Sequence, residues 1–237
     1  MVNGKLVNIV MPVKDAVDVA EKAIRCLCGW EMPFMVWNDR STEENTARLH
    51  ALQEELGFTL IDVAELTDHP SPNYLMLLQR AQAECLATDR DLVIVESDVL
   101  VQADTLQRML SAADTASCGM VAAVTHDTER KINFPYLYAK KYKNENVCVC
   151  DKRFSFCCTL LTNAFLRAFD FAQLDPTKDW FDVTISKMSR KLGFKNLLLL
   201  DAPVTHMPHA SRPWKKLKYT NPLKYYWLKL THGRDKI

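Results

Sequence analysis

The feature that most constrains the fold is an alternation. Through residue 125, short apolar runs closed by turn residues alternate with longer segments of helical periodicity. Residues 6–11 form an apolar run ended by Pro12, which predicts a buried strand. Residues 16–29 place Val19, Ala23, Ile24 and Leu27 on one helical face. Residues 34–37 predict a second strand. Ser41, three residues before Glu44, predicts a capping box for a helix carrying Leu49, Leu52 and Leu56, with Gly57 as its stop. A third strand at 59–63, a loop at 67–73 and a helix over 74–87 follow. Residues 91–95 are the most apolar strand and run directly into Glu96-Ser97-Asp98. Asp104, with Gln107 three residues on, starts a further helix, and 119–125 predict another strand.

This pattern implies an α/β fold: a mostly parallel sheet with helices on both faces. In such sheets ligands bind outside the carboxyl ends of the strands. Two acidic clusters fall there, Asp39 after the second strand and Glu96 with Asp98 after the fourth. The second half is less regular. Residues 126–150 read as a loop with edge strands, 153–162 as a strand, and 163–169 as a short helix. Residues 179–192 predict a longer helix closed by Gly193, and 197–200 a strand ending at Asp201.

Charge divides the chain. Residues 212–237 hold eight Lys or Arg against Asp235 alone, a net +7, whereas the preceding 211 residues carry −6. An acidic body without a recognition motif argues against nucleic acid as a partner. The tail interleaves Lys215, Lys216, Lys218, Lys224 and Lys229 with Trp214, Tyr219, Tyr225, Tyr226 and Trp227. That composition suits the headgroup layer of an anionic membrane. No secretory leader and no run of about 18 apolar residues is visible, so the expectation is a cytoplasmic protein, peripheral at the inner membrane face. The eight cysteines lack zinc-ribbon spacing and read as reduced, packed thiols.

Four segments in order resemble the family 2 glycosyltransferases of the GT-A (Rossmann-like) fold, over about residues 6–210. They are the opening Ile9-Val10-Met11-Pro12-Val13-Lys14-Asp15, then Trp37-Asn38-Asp39-Arg40-Ser41-Thr42, then Val95-Glu96-Ser97-Asp98, and the helix over 179–195 that ends Gly193-Phe194-Lys195. Asn38 stands where the family has the first Asp of its D-D-x-S-T segment, and Glu96 stands where it more often has Asp.

The resemblance implies a sugar transferred from a nucleotide-diphospho-sugar to the hydroxyl of a glycan or lipid-linked acceptor, with inversion. It implies Mn²⁺ or Mg²⁺ at Asp98, with Glu96 on the ribose or a metal-bound water and His206, or in its place His209, as a further ligand. Pro12, Val13, Asp39 and Ser97 would complete the nucleotide-sugar pocket. Asp182 falls on the family's catalytic base, and Asp179 is the alternative. Residues 1–103 would form the donor half, 104–211 the acceptor half, and 212–237 a separate tail. Arg212, Lys215 and Lys216 suit a loop closing over a diphosphate. The chemistry matches these residue types, since a departing diphosphate gathers charge that a cation neutralises and an attacking hydroxyl must lose a proton to a carboxylate. Two other classes stay open. A nucleotidyltransferase would need a glycine-rich phosphate loop after the first strand, where Pro12-Val13-Lys14-Asp15-Ala16 has no glycine. A non-catalytic nucleotide-sugar-binding domain would keep the fold without the base.

Overall fold

The alternation becomes one sheet with helices on both faces. The computed structural model describes residues 6–142, 145–207 and 221–231. Its first half runs β1 (Val7–Val13), α1 (Val17–Cys28), β2 (Phe34–Asn38), α2 (Glu43–Leu56), β3 (Thr59–Asp62), α3 (Tyr74–Thr88) and β4 (Asp91–Val95). The second half adds β5 (Val99–Leu100), α4 (Thr105–Ala113), β6 (Cys118–His126), β7 (Val147–Val149), β8 (Cys158–Leu161), α5 (Asn163–Ala168), α6 (Phe181–Lys191), β9 (Lys195–His206) and α7 (Pro222–Thr231). Among the described residues the strand order is β3-β2-β1-β4-β8-β6-β9-β5, with β7 also on β9.

Strands β3, β2, β1 and β4 are parallel neighbours. The order turns back at β1, so the helices on either side of that point leave toward opposite faces. Side-chain alternation within β1 shows the two cores this creates. Val7, Ile9, Met11 and Val13 join α1, α2 and α4 in one, while Val10 joins α3, α5 and α6 in the other. A fully buried Leu or Phe contributes roughly 1.5–3 kcal/mol, so two continuous cores suffice without disulfides. All eight cysteines are free thiols. Burial pushes Cys85 and Cys158 up to about 12, which leaves them protonated and unreactive near neutrality.

Several local expectations are corrected. Helix α2 is capped by Thr42, whose side chain accepts from the Asn45 amide. The Ser41 hydroxyl is used elsewhere, accepting from the Asp15 amide at 2.9 Å. Residues 153–156 are not strand. The Ser186 hydroxyl takes the Phe154 amide and the Tyr136 phenol takes the Ser155 amide, so side chains replace the ladder and β8 begins only at Cys158. Helix α6 begins at Phe181, because Trp180 has non-helical dihedrals, and Asp179 therefore precedes the helix. Strand β9 does not end at Asp201. It continues through a register shift against β6 to His206.

Other signals agree with the sequence. Gly57 closes α2 at φ +74° and Gly193 follows α6 at φ +86°, both left-handed positions that favour glycine. Gly119 has a different reason. A Cβ there would lie 2.5 Å from Ser189 Oγ and 2.6 Å from Phe194 Cβ, so its absence admits the ring after Gly193.

Candidate functional site

The segments leaving the carboxyl ends of β1 and β2 are tied to each other by hydrogen bonds between residues far apart in sequence. The Asp39 amide donates to the Val13 carbonyl at 2.8 Å, which ties the end of β2 to β1. Pro12 lies beyond the last β1–β4 pair, Val10 with Ile94, where its missing N–H removes nothing from that ladder. Asn38 bridges strand ends, donating to Asp62 Oδ1 at 2.6 Å and accepting the Ser41 amide. An amide can do both, whereas the aspartate expected by resemblance could only accept. Asp15 accepts from the Thr42 amide and the Asn45 side chain. Its burial would raise its pKa, but these donors and Lys14 outweigh that and hold it below the usual carboxylate value.

Asp39 is buried at the head of this region. Its carboxylate accepts Ser71 Oγ at 2.7 Å, the Asn73 amide at 3.0 Å and Asn73 Nδ2 at 2.7 Å. It therefore organises the loop at 71–73 against the end of β2. An ionised carboxylate has about four acceptor sites, so three chain donors leave one for another donor.

Glu96, Ser97 and Asp98 form a tight turn between β4 and β5, closed by the Val99 amide on the Glu96 carbonyl at 3.2 Å. Two later segments are locked onto it. The Glu96 amide donates to the Cys157 carbonyl at 3.0 Å, beside the antiparallel pair Val95 and Cys158. The Met207 amide donates to the Asp98 carbonyl at 2.8 Å, beside the pair Val99 and His206. Sheet register thus carries Cys157 and His206 to the acidic turn from 60 and more residues away.

The donor atoms converge. Cys157 Sγ lies 3.2 Å from Glu96 Oε2, and His206 Nε2 lies 3.5 Å from Asp98 Oδ2. Ligand atoms of Glu96, Cys157 and His206 all lie within 4.8 Å of one another. His206 Nδ1 is 3.0 Å from the Phe134 carbonyl oxygen. A carbonyl only accepts, so Nδ1 carries the proton and Nε2 turns its lone pair toward the carboxylate. Two lone pairs so close need a proton or a metal cation between them. Burial opposes a charged imidazole here, but Asp98, Glu96 and the Phe134 carbonyl outweigh it and hold His206 above its ordinary pKa. The donor set of carboxylate oxygens and an imidazole with its second nitrogen anchored fits a divalent cation by the same geometry.

Asp182 occupies the first turn of α6, with Oδ1 accepting the Val183 amide at 2.8 Å. The helix is fixed to the approach to β8 by Ser186. Asp179 is exposed before the helix. Between α6 and the metal-type cluster stands a stack that the sequence did not announce. Arg153 lies over the Trp180 ring at 5.5 Å and over the Phe134 ring at 6.0 Å. Phe134 is the residue whose carbonyl anchors His206. Cys157 was also missed as a site residue, read as one of a packed pair. His209, Arg212, Lys215 and Lys216 lie outside the described residues.

The architecture is that of the GT-A glycosyltransferases: a mixed α/β sheet, parallel through β4, with an acidic turn at the carboxyl end of a central strand. Crystal structures of glycosyltransferase domains share it. S. aureus TarS 1–349 aligns at a TM-score of 0.63 and 11% identity, covering 85% of this chain and 60% of that one. Its complex with UDP-GlcNAc aligns at 0.63 and 12%, covering 87% and 60%. GalNAc-T7 with UDP, GalNAc and Mn²⁺ aligns at 0.61 and 9%, covering 88% and 45%. The chain therefore spans about half to three fifths of these relatives, and at such identity the likeness is one of fold. No protein-family model matches the sequence, and no curated protein matches it.

Proposed function

We propose that the chain transfers a sugar, with inversion, from a nucleotide-diphospho-sugar to an acceptor hydroxyl, assisted by a divalent cation. One observation carries the reading: Glu96, Asp98 and His206 converge beside the carboxyl ends of β1 and β2 in a GT-A sheet. Glu96, Asp98 and His206 would hold Mn²⁺ or Mg²⁺, which neutralises charge on a departing diphosphate. Pro12, Val13, Asp39 and Ser97 line the nucleotide side, within a donor half of residues 1–103. Asp182 takes the proton from the acceptor hydroxyl, in an acceptor half of residues 104–211, with Asp179 as the competing base. A panel of UDP- and GDP-sugars incubated with and without Mn²⁺ tests this by release of nucleoside diphosphate. The expected result is release from one donor class that EDTA abolishes. No release from any donor, with no binding of UDP or GDP by calorimetry, would remove the reading.

Helix α7 is the observation that supports a proposed location. Asn221 caps it, its Oδ1 accepting the Lys224 amide, and Pro222 occupies the first turn. Leu223, Tyr226, Trp227 and Leu230 recur at helical spacing and are 54–85% exposed. Among the described residues no helix is long and apolar enough to cross a membrane. An exposed apolar and aromatic stripe in a strongly cationic segment matches a helix lying in the bilayer interface, at roughly 1 kcal/mol per basic residue near an anionic surface. The proposed site of action is thus the cytoplasmic membrane face, where a lipid-linked acceptor resides. Sedimentation with phosphatidylserine-containing vesicles should carry the protein down, and high salt or L223S/L230S should release it. Equal partitioning with and without anionic lipid, or no partitioning at all, would sink the docking proposal.

A further inference from the structure

We propose that Cys157 is a direct ligand at this centre, so that it takes a thiophilic divalent cation of the Zn²⁺ or Co²⁺ kind in preference to Mg²⁺. The inference rests on the proposed function only in requiring that the Glu96, Asp98 and His206 cluster holds a cation.

The placement of the thiol is not a packing accident of a flexible side chain. Cys157 is 2% exposed, and its backbone carbonyl is bonded to the Glu96 amide. Its neighbour Cys158, in the same core, meets Met109 Sδ at 3.8 Å, as a packed thiol does. Cys157 Sγ instead faces polar partners, Glu96 Oε2 at 3.2 Å and Ser155 Oγ at 3.4 Å. Metal–ligand bonds of about 2.0–2.3 Å place pairs of ligand atoms roughly 3–4.5 Å apart, and the Glu96, Cys157 and His206 atoms already lie within 4.8 Å. Small rotamer changes therefore close the set, with Asp98 Oδ2 next to His206 Nε2 as a fourth donor.

Ligand chemistry then fixes the preference. Mg²⁺ takes hard oxygen ligands and holds its waters, whereas thiolate and imidazole favour Zn²⁺ and neighbouring transition metals. On binding, the Cys157 S–H proton leaves to solvent as the sulfur–metal bond forms, and no oxidant or reductant is needed.

Cobalt substitution reads this directly. Titration of the protein with Co²⁺ should produce a sulfur-to-cobalt charge-transfer absorption saturating at one equivalent, displaced by Zn²⁺ and untouched by excess Mg²⁺. Cys157→Ser and Cys157→Ala should abolish the band and weaken Zn²⁺ binding by roughly tenfold or more, with circular dichroism confirming the fold. X-ray absorption of the Zn²⁺-loaded wild-type protein, which needs no variant, should show one sulfur neighbour. Co²⁺ or Mn²⁺ binding without a sulfur signal, or a band that survives in C157A, overturns the role of Cys157 and leaves the metal-assisted reading standing. Failure of both cations to bind, with and without UDP, overturns both.

Discussion

Asp98→Asn is expected to reduce cation-dependent donor cleavage and sugar transfer by about a hundredfold or more at moderate Mn²⁺. The reasoning begins with charge. Asp98 Oδ2 is the carboxylate oxygen nearest His206 Nε2, at 3.5 Å, and both side chains are largely withdrawn from water. In such surroundings a carboxylate's charge is weakly screened, and its loss is felt by anything cationic bound there. Partners one shell out from a metal typically change its affinity 10–100-fold, and a direct ligand should matter no less. A hundredfold corresponds to about 2.7 kcal/mol. The fold should survive, because the bond that ties β9 to the turn uses the Asp98 main-chain carbonyl, accepting the Met207 amide. Activity should recover in part at high Mn²⁺, since an amide oxygen still offers a weak ligand. Kinetics across a Mn²⁺ series decides it: a variant with wild-type rates at every Mn²⁺ concentration would show that Asp98 holds no cation.

Asp182→Asn is expected to leave nucleotide-sugar binding unchanged and to lower the transfer rate by about 10²–10⁴, the usual contribution of a general base. The substitution is chosen because the Asp182 side chain accepts its own helix-start amide from Val183, a bond that an Asn oxygen can also make. Loss of rate then reports lost basicity rather than a frayed helix. Asp179→Asn is the matching control, since Asp179 stands in the turn before α6. A fall in turnover confined to D179N would move the base there, and wild-type turnover in D182N would end the assignment. Hydrolysis of the donor by water, followed beside transfer, separates the base from the diphosphate site.

The parts of the fold that were legible share one property: their signals are local. The apolar runs of β1, β2 and β4, the helical face of Val19, Ala23, Ile24 and Leu27, and the stop at Gly57 depend on residues within a turn or two. Both acidic positions could be placed at strand ends for the same reason. Two of the corrected elements show why others were not legible. At Ser41 two neighbouring hydroxyls competed, and a long-range acceptor role toward Asp15 left the cap to Thr42. At residues 153–156 a run with strand character was taken apart by Ser186 and Tyr136, whose positions no local pattern encodes.

The candidate site divides the same way. Its acidic half, Glu96-Ser97-Asp98, was determined by the sequence, because an apolar strand that ends in a polar turn presents that turn at the sheet's carboxyl edge. Its other half was decided by tertiary structure. The antiparallel insertion of β8 between β4 and β6 sets Cys157 beside Glu96, and the extension of β9 to pair with β5 sets His206 beside Asp98. Strand order and direction follow from which faces can be buried together over the whole chain. Periodicity reports only that a residue alternates, not which neighbour the alternation brings it to face.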